Sequence, residues 1–117
     1  MTSVSSEVAV GVAGDLLPGE GRAYAVANTQ IAVFRMTDGS LRATDAVCPH
    51  KGGPLADGQF DLGRGQAGTG ASDLGQVVCP LHQYAFRFAD GECSSAGIGA
   101  VRVYRVEDRG GEIVVWL

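Results

Sequence analysis

The sequence predicts an all-β domain with a small inserted loop region that carries the chemistry. Three observations point there. Gly accounts for 18 of 117 residues against only 4 Pro, a composition of ordered, turn-rich chains rather than disordered tracts. Apolar residues alternate with period two in several short windows, and no window of ten or more residues shows a helical period. At 117 residues and 12.1 kDa the length predicts one domain and leaves no room in this chain for a two-domain enzyme. Size scaling says that such a chain needs neither disulfides nor a metal merely to fold.

Taken in order, Val8, Val10 and Val12 alternate, as do Ala23, Ala25 and Ala27. Both windows read as short strands, separated by Gly, Asp and Pro punctuation. Ile31 to Met36 is a β-rich run, Thr37-Asp38-Gly39-Ser40 a hairpin turn, and Leu41 to Val47 the returning strand. Near the end, Val101 to Glu107 and Glu112 to Leu117 flank Asp108-Arg109-Gly110-Gly111. This second hairpin is expected to turn Val101, Val103, Ile113, Val115 and Leu117 toward one core. The middle, about 47–99, differs: two ligand-rich loops, a Gly-rich linker at 61–75 and a turn at Ala89-Asp90-Gly91. Core strands are thus expected at about 4–46 and 100–117, within a single domain over 1–117.

Charge excludes some functions. Nine basic and 13 acidic residues give a net charge of -4, and no Lys/Arg cluster is dense enough to track a phosphate backbone, so nucleic acid is not an expected partner. No apolar run approaches the roughly 20 residues of a membrane span. The opening segment has no basic region before its apolar residues, which Glu7 and Asp15 interrupt, and so reads as neither signal nor transit peptide. A cytoplasmic setting is the expectation, where Cys patterns point to metal or redox chemistry more than to disulfides.

The chemistry concentrates in VCPHKGGPL at 47–55 and VCPLHQYAF at 78–86. Both His of the chain follow a Cys closely, as Cys48-x-His50 and Cys79-x-x-His82. Two such coincidences arise by accident at a rate on the order of one in a thousand. Pro49 and Pro80 stiffen the loops, and Gly52 and Gly53 permit close backbone approach. In an extended segment Cys48 and His50 project to one side roughly 6 to 7 Å apart, a spacing that lets them reach two adjacent metal ions. A mononuclear Cys2His2 zinc site is the main alternative, but its usual C-x2-4-C and H-x3-5-H pairs are both missing. A Cys/His nucleophile pair leaves the duplication and the stiffened loops unexplained. Cys93 reads as a small buried hydrophobe, Phe34 and Trp116 as core, Leu55 and Tyr84 as either shielding or packing. Lys51, Arg64 and Arg87 read as solvated charges, with Lys51 placed to steer a docking partner.

C-P-H with G-G-P-L, followed by C-P-L-H, resembles the two ligand loops of Rieske-type 2Fe-2S proteins. That resemblance implies a β-sandwich or barrel core with an inserted cluster-binding subdomain at about 47–99. It also implies that Cys48 and Cys79 hold one iron, His50 and His82 the other, with two bridging sulfides. Two ferric ions, two sulfides and two thiolates sum to zero charge, whereas four thiolates would leave two negative charges, so mixed ligation eases electron uptake. The imidazoles then couple electron to proton uptake. Gly53 and Leu81 stand where high-potential members carry a disulfide, and Tyr84 and Phe86 where they carry hydrogen-bond donors to sulfur. The resemblance therefore implies a potential toward the low end of the roughly -150 to +300 mV Rieske range.

The continuation K-G-G-P-L-x-D-G and the 28 residues between His50 and Cys79 resemble small subunits of NAD(P)H-dependent assimilatory nitrite reductases. Such a subunit would be an electron relay or assembly factor beside a large flavin and sirohaem subunit, with no catalytic site of its own. A stand-alone Rieske ferredoxin feeding a ring-hydroxylating dioxygenase is the alternative that the motif leaves open. The segment Ser94-Ser95-Ala96-Gly97 lacks the Pro often found in the third loop covering the cluster.

Overall fold

In a computed structural model, the described residues are 7–26, 29–48, 54–61, 75–80, 84–93 and 98–117. Among the described residues there are nine strands and two short 3-10 turns, Ala13–Asp15 and Leu55–Asp57. Six strands, β1 (Glu7–Val12), β2 (Gly21–Val26), β3 (Thr29–Arg35), β4 (Leu41–Asp45), β8 (Val103–Arg109) and β9 (Glu112–Trp116), form an antiparallel sheet in the order β1-β9-β8-β4-β3-β2. The sheet curls into a nearly closed barrel, its edges meeting where the Tyr24 ring of β2 lies over Gly11 of β1. Three short strands, β5 (Gln59–Asp61), β6 (Gln76–Val78) and β7 (Ala85–Arg87), make a separate antiparallel sheet. Among the described residues no helix is long and apolar enough to cross a membrane.

Two hydrophobic clusters result, and β3 is the wall between them. Ile31, Ala32, Val33 and Phe34 are all fully buried. Because side chains alternate along a strand, Ile31 and Val33 point into the barrel with Tyr104, Ile113 and Val115. Ala32 and Phe34 point outward and join Met36, Leu55, Val77, Phe86 and Phe88 under the small sheet. Phe34 meets Phe60 and Phe88 edge-on or tilted, with ring centroids 5.0 and 5.2 Å away, so aromatic packing joins barrel to small sheet.

Both expected hairpins form. In the first, Met36 N–H donates to Ser40 O at 2.8 Å and Asp38 Oδ1 accepts from Ser40 N–H at 2.9 Å. In the second, Asp108 Oδ1 accepts from Gly111 N–H at 2.9 Å.

Several faces differ from the sequence reading. In β2 the buried side is Tyr24 and Val26, while Ala23 and Ala25 are exposed; the larger apolar groups claim the core because they remove more area from water. Ala27 lies outside the described residues. In β8 the inward side is Tyr104 and Val106, opposite to Val103, and Val101 precedes the strand and packs in the outer cluster. Apolar residues of both parities in VRVYRV left the phase ambiguous, and the register Val106↔Val115 decides it. In β1 a register shift between Ala9 and Gly11 puts Val12 opposite Glu112, 57 % exposed. The inserted region, read as loops, contains β5–β7; strands of three residues are too short to show a period.

Candidate functional site

The outward face of β4 leads directly to Cys48. Thr44, Ala46 and Cys48 share the parity that faces the outer cluster, and all three are buried. Cys48 opens a loop closed at its base by the Val47↔Pro54 bridge and by Leu55 N–H donating to Ala46 O at 2.9 Å. The second loop is built alike: β6 and β7 pair up to Val78↔Ala85, and Cys79 N–H donates to Tyr84 O at 2.8 Å. Phe60, Val77 and Phe86 form a row across the small sheet, with Cys93 bridged to Phe86. Cys79, two residues beyond Val77, therefore points to the same inner side, with Tyr84 packed beside it.

Cys48 and Cys79, 1 % and 0 % exposed, thus enter one apolar cluster from two separate paired loops. No disulfide joins the described cysteines. Cys93, expected to be buried, is only partly so, because it sits on the outermost bridge of the small sheet. Leu55 is fully buried, Phe34 likewise, Trp116 lies half-covered beneath the Arg105 and Arg109 guanidinium groups, and Arg87 is exposed and paired with Asp90 at 2.6 Å. His50 and His82, with Pro49, Lys51, Gly52, Gly53, Leu81, Arg64, Ser94–Gly97 and nearly all of the 61–75 linker, lie outside the described residues.

Two glycines hold the scaffold of these loops together. A Cβ on Gly58 would sit 2.0 Å from Val78 O, next to Cys79, so the entry to β5 packs against the strand end that carries the cysteine. Gly91, at φ +77°, has no room for a Cβ either, which would meet Val101 O at 1.8 Å; its carbonyl accepts from Val101 N–H at 2.9 Å. Sequence reading missed these contacts and also Asp45. The Asp45 carboxylate accepts from Tyr104 Oη at 2.7 Å and from Arg102 N–H at 2.9 Å. Burial, then that hydrogen bond and the charge of Asp45, push the Tyr104 phenol up to about 12. Beside Pro80 a polar cleft of about 260 Å³ is lined by Asp57, Gln59 and Val78, below the roughly 300 to 1,000 Å³ of a typical small-molecule pocket.

Residues 6–105 match the family model of the Rieske [2Fe-2S] domain. The chain is a Rieske domain. Over 98 % of its length it superposes on 97 % of a candidate NADH-dependent nitrite reductase small subunit from Mycobacterium tuberculosis, at TM-score 0.81 and 26 % identity. The ferredoxin of carbazole 1,9a-dioxygenase from Nocardioides aromaticivorans covers 95 % of this Rieske domain, and 97 % of itself, at TM-score 0.74 and 30 % identity. Among curated proteins it is similar to a cholesterol 7-desaturase of Hemicentrotus pulcherrimus, 27 % identical over 112 residues, 87 % of this chain and 22 % of that one. The chain spans only about a quarter of the length of the curated relatives it matches.

The Rieske domain implies a 2Fe-2S cluster, and the described residues fit one. Two buried thiols, brought to one dry cluster by separate loops, supply the soft half of a mixed donor set. Their paired loop bases fix the positions of both main chains, and the apolar surroundings exclude water. When bound, such a cluster supplies one-electron transfer.

Proposed function

We propose that this Rieske domain is the small subunit of an NAD(P)H-dependent nitrite reductase. It relays electrons, in the cytoplasm, beside a large flavin- and sirohaem-carrying subunit that reduces nitrite to ammonia. In this reading Cys48 and Cys79 ligate one iron and His50 and His82 the other. The chain acts as one domain with its cluster-binding part at 47–99 and no catalytic site of its own. The observation that carries the reading is the near-complete mutual coverage with a nitrite reductase small subunit at TM-score 0.81. The residues K-G-G-P-L-x-D-G after His50 add to it.

A dioxygenase ferredoxin is the second reading, favoured by the 30 % identity to the carbazole dioxygenase ferredoxin. In both readings the chain's own work is to bind the cluster, exclude water around the thiols and present the two loops to a partner.

Two experiments test this. Absorption and EPR spectra of the anaerobically purified, dithionite-reduced protein should show a mixed-ligand 2Fe-2S centre, altered in both His50→Cys and His82→Cys. A colourless protein containing one zinc would refute the ligand assignment. Pull-down from nitrate-grown cells should recover a sirohaem-containing subunit, and recombining the two should raise NAD(P)H-dependent nitrite reduction. Recovery of a dioxygenase or its flavin reductase would select the second reading.

A further inference from the structure

Asp45 lies three residues before Cys48, at the end of the barrel from which the loop departs. Its side chain and main chain together make three hydrogen bonds to β8 and the residue preceding it. Oδ1 accepts from Tyr104 Oη at 2.7 Å and Oδ2 from Arg102 N–H at 2.9 Å, while Asp45 N–H donates to Arg102 O at 2.9 Å. Bonds to a carboxylate are the stronger kind, and replacing it would leave the hydroxyl of the buried Tyr104 short of its partner.

What makes this junction more than a barrel brace is where each of its ends leads. From Asp45 the chain passes only Ala46 and Val47 before Cys48. Ala46 N–H donates to Gln30 O at 3.0 Å, Ala46 O accepts from Leu55 N–H, and Val47 bridges Pro54. No slack separates Asp45 from the first thiol. From Arg102 the chain runs back to Val101, whose N–H donates to Gly91 O. Gly91 N–H in turn donates to Arg87 O at 2.7 Å, and Arg87 N–H to Glu92 O at 3.0 Å. Arg87 ends β7, which pairs with β6, and β6 delivers Cys79. An unbroken circuit of main-chain bonds and ladders thus joins Cys48 to Cys79, and it crosses from one loop system to the other at Asp45–Arg102.

We propose that Asp45, held by Tyr104 and Arg102, is a positioning residue that sets the relative placement of the two cysteine loops, and through it the retention of the bound cluster. The proposal rests on the reading that Cys48 and Cys79 are ligands. Outer-shell partners of this kind typically change metal affinity by about 10–100-fold when removed.

The test compares Asp45→Ala, Asp45→Asn and Tyr104→Phe with Ile113→Val, a barrel-interior change at a residue that makes none of the bonds of the circuit, in the holo protein. Iron release to a chelator should be about 10–100-fold faster in Asp45→Ala and faster by a smaller factor in Tyr104→Phe, which loses only the hydroxyl. The EPR g-values of the reduced protein should shift in both, while Ile113→Val keeps the wild-type values. Should Asp45→Ala fail to fold, Asp45→Asn and Tyr104→Phe carry the comparison. Wild-type release rates and g-values in the folded Asp45 and Tyr104 variants would overturn the proposal. So would an Ile113→Val protein that released iron as fast at matched thermal stability. Amide exchange separates this from the ligand reading. A wild-type protein without a cluster would sink the ligand reading, yet Tyr104→Phe should still speed exchange at Ala46, Leu55 and Val101 and spare β9. Unchanged exchange there would overturn the clamp itself.

Discussion

The barrel interior and the outer cluster share β3 as a common wall yet are held together differently. Inside, Ile31, Val33, Ile113 and Val115 are enclosed by longer strands, seven residues in β3 and β8 and five or six in the others. Outside, Phe34, Val77 and Phe86 are covered by strands of three residues and by loops, and two of the buried groups are thiols. The difference teaches that the barrel draws its stability from its own packing. The outer cluster, with ladders of three residues, is closed instead by loop bonds such as Leu55 N–H to Ala46 O and Cys79 N–H to Tyr84 O, and in the proposed reading a cluster held by its cysteines adds to that packing.

The largest expected effect separates the two regions outright. Cys48→Ser or Cys79→Ser should abolish iron binding. Hydrogen exchange in either variant should show β1–β4, β8 and β9 still protected, with β5–β7 exchanging faster. Equal loss of protection in both regions would break the comparison. Next comes the joint: Phe34→Ala empties a fully buried site between Phe60 and Phe88, and denaturant unfolding should register a loss of about 3–5 kcal/mol. Gly58→Ala is expected to lose about 1–3 kcal/mol, because the added methyl group meets Val78 O and must push the Cys79 strand end aside. Iron retention should fall with it. Ile113→Val in the interior should lose only about 0.5–1.5 kcal/mol and leave the iron content untouched.

The last effect is a pH limb, confined to alkaline conditions. The Tyr104 phenol is raised to about 12 in the folded protein from about 10 in the unfolded chain. Its contribution is therefore fully present below about pH 10 and lost as pH rises from there through about 12. Stability measured between these values should decline in the wild type and decline less in Tyr104→Phe.

The two cysteine segments were legible because their residue types are rare and their spacing is fixed along the chain. Cys48 and Cys79 stood out among three cysteines, and the structure places both in one cluster. The hairpin turns were legible for a local reason too, since Asp38, Asp108 and the following glycines decide the backbone within four residues. Burial phase was not. Ala23 and Ala25 alternate as cleanly as Val8 and Val10, but which side of β2 faces inward depends on Tyr24 reaching across to Gly11, a contact between distant segments.

By itself, the sequence determined the all-β class, the two hairpins and the pair of Cys/His loops, because each is written in nearest-neighbour backbone preferences and in the identity of side chains. Only the tertiary structure decided that β3 serves two cores at once, that β5–β7 exist, and that Asp45 bonds Tyr104 and Arg102. Those features arise from pairings across tens of residues. Asp45 meets Arg102 and Tyr104 only after the barrel closes, so no local pattern announces a contact between segments more than fifty residues apart.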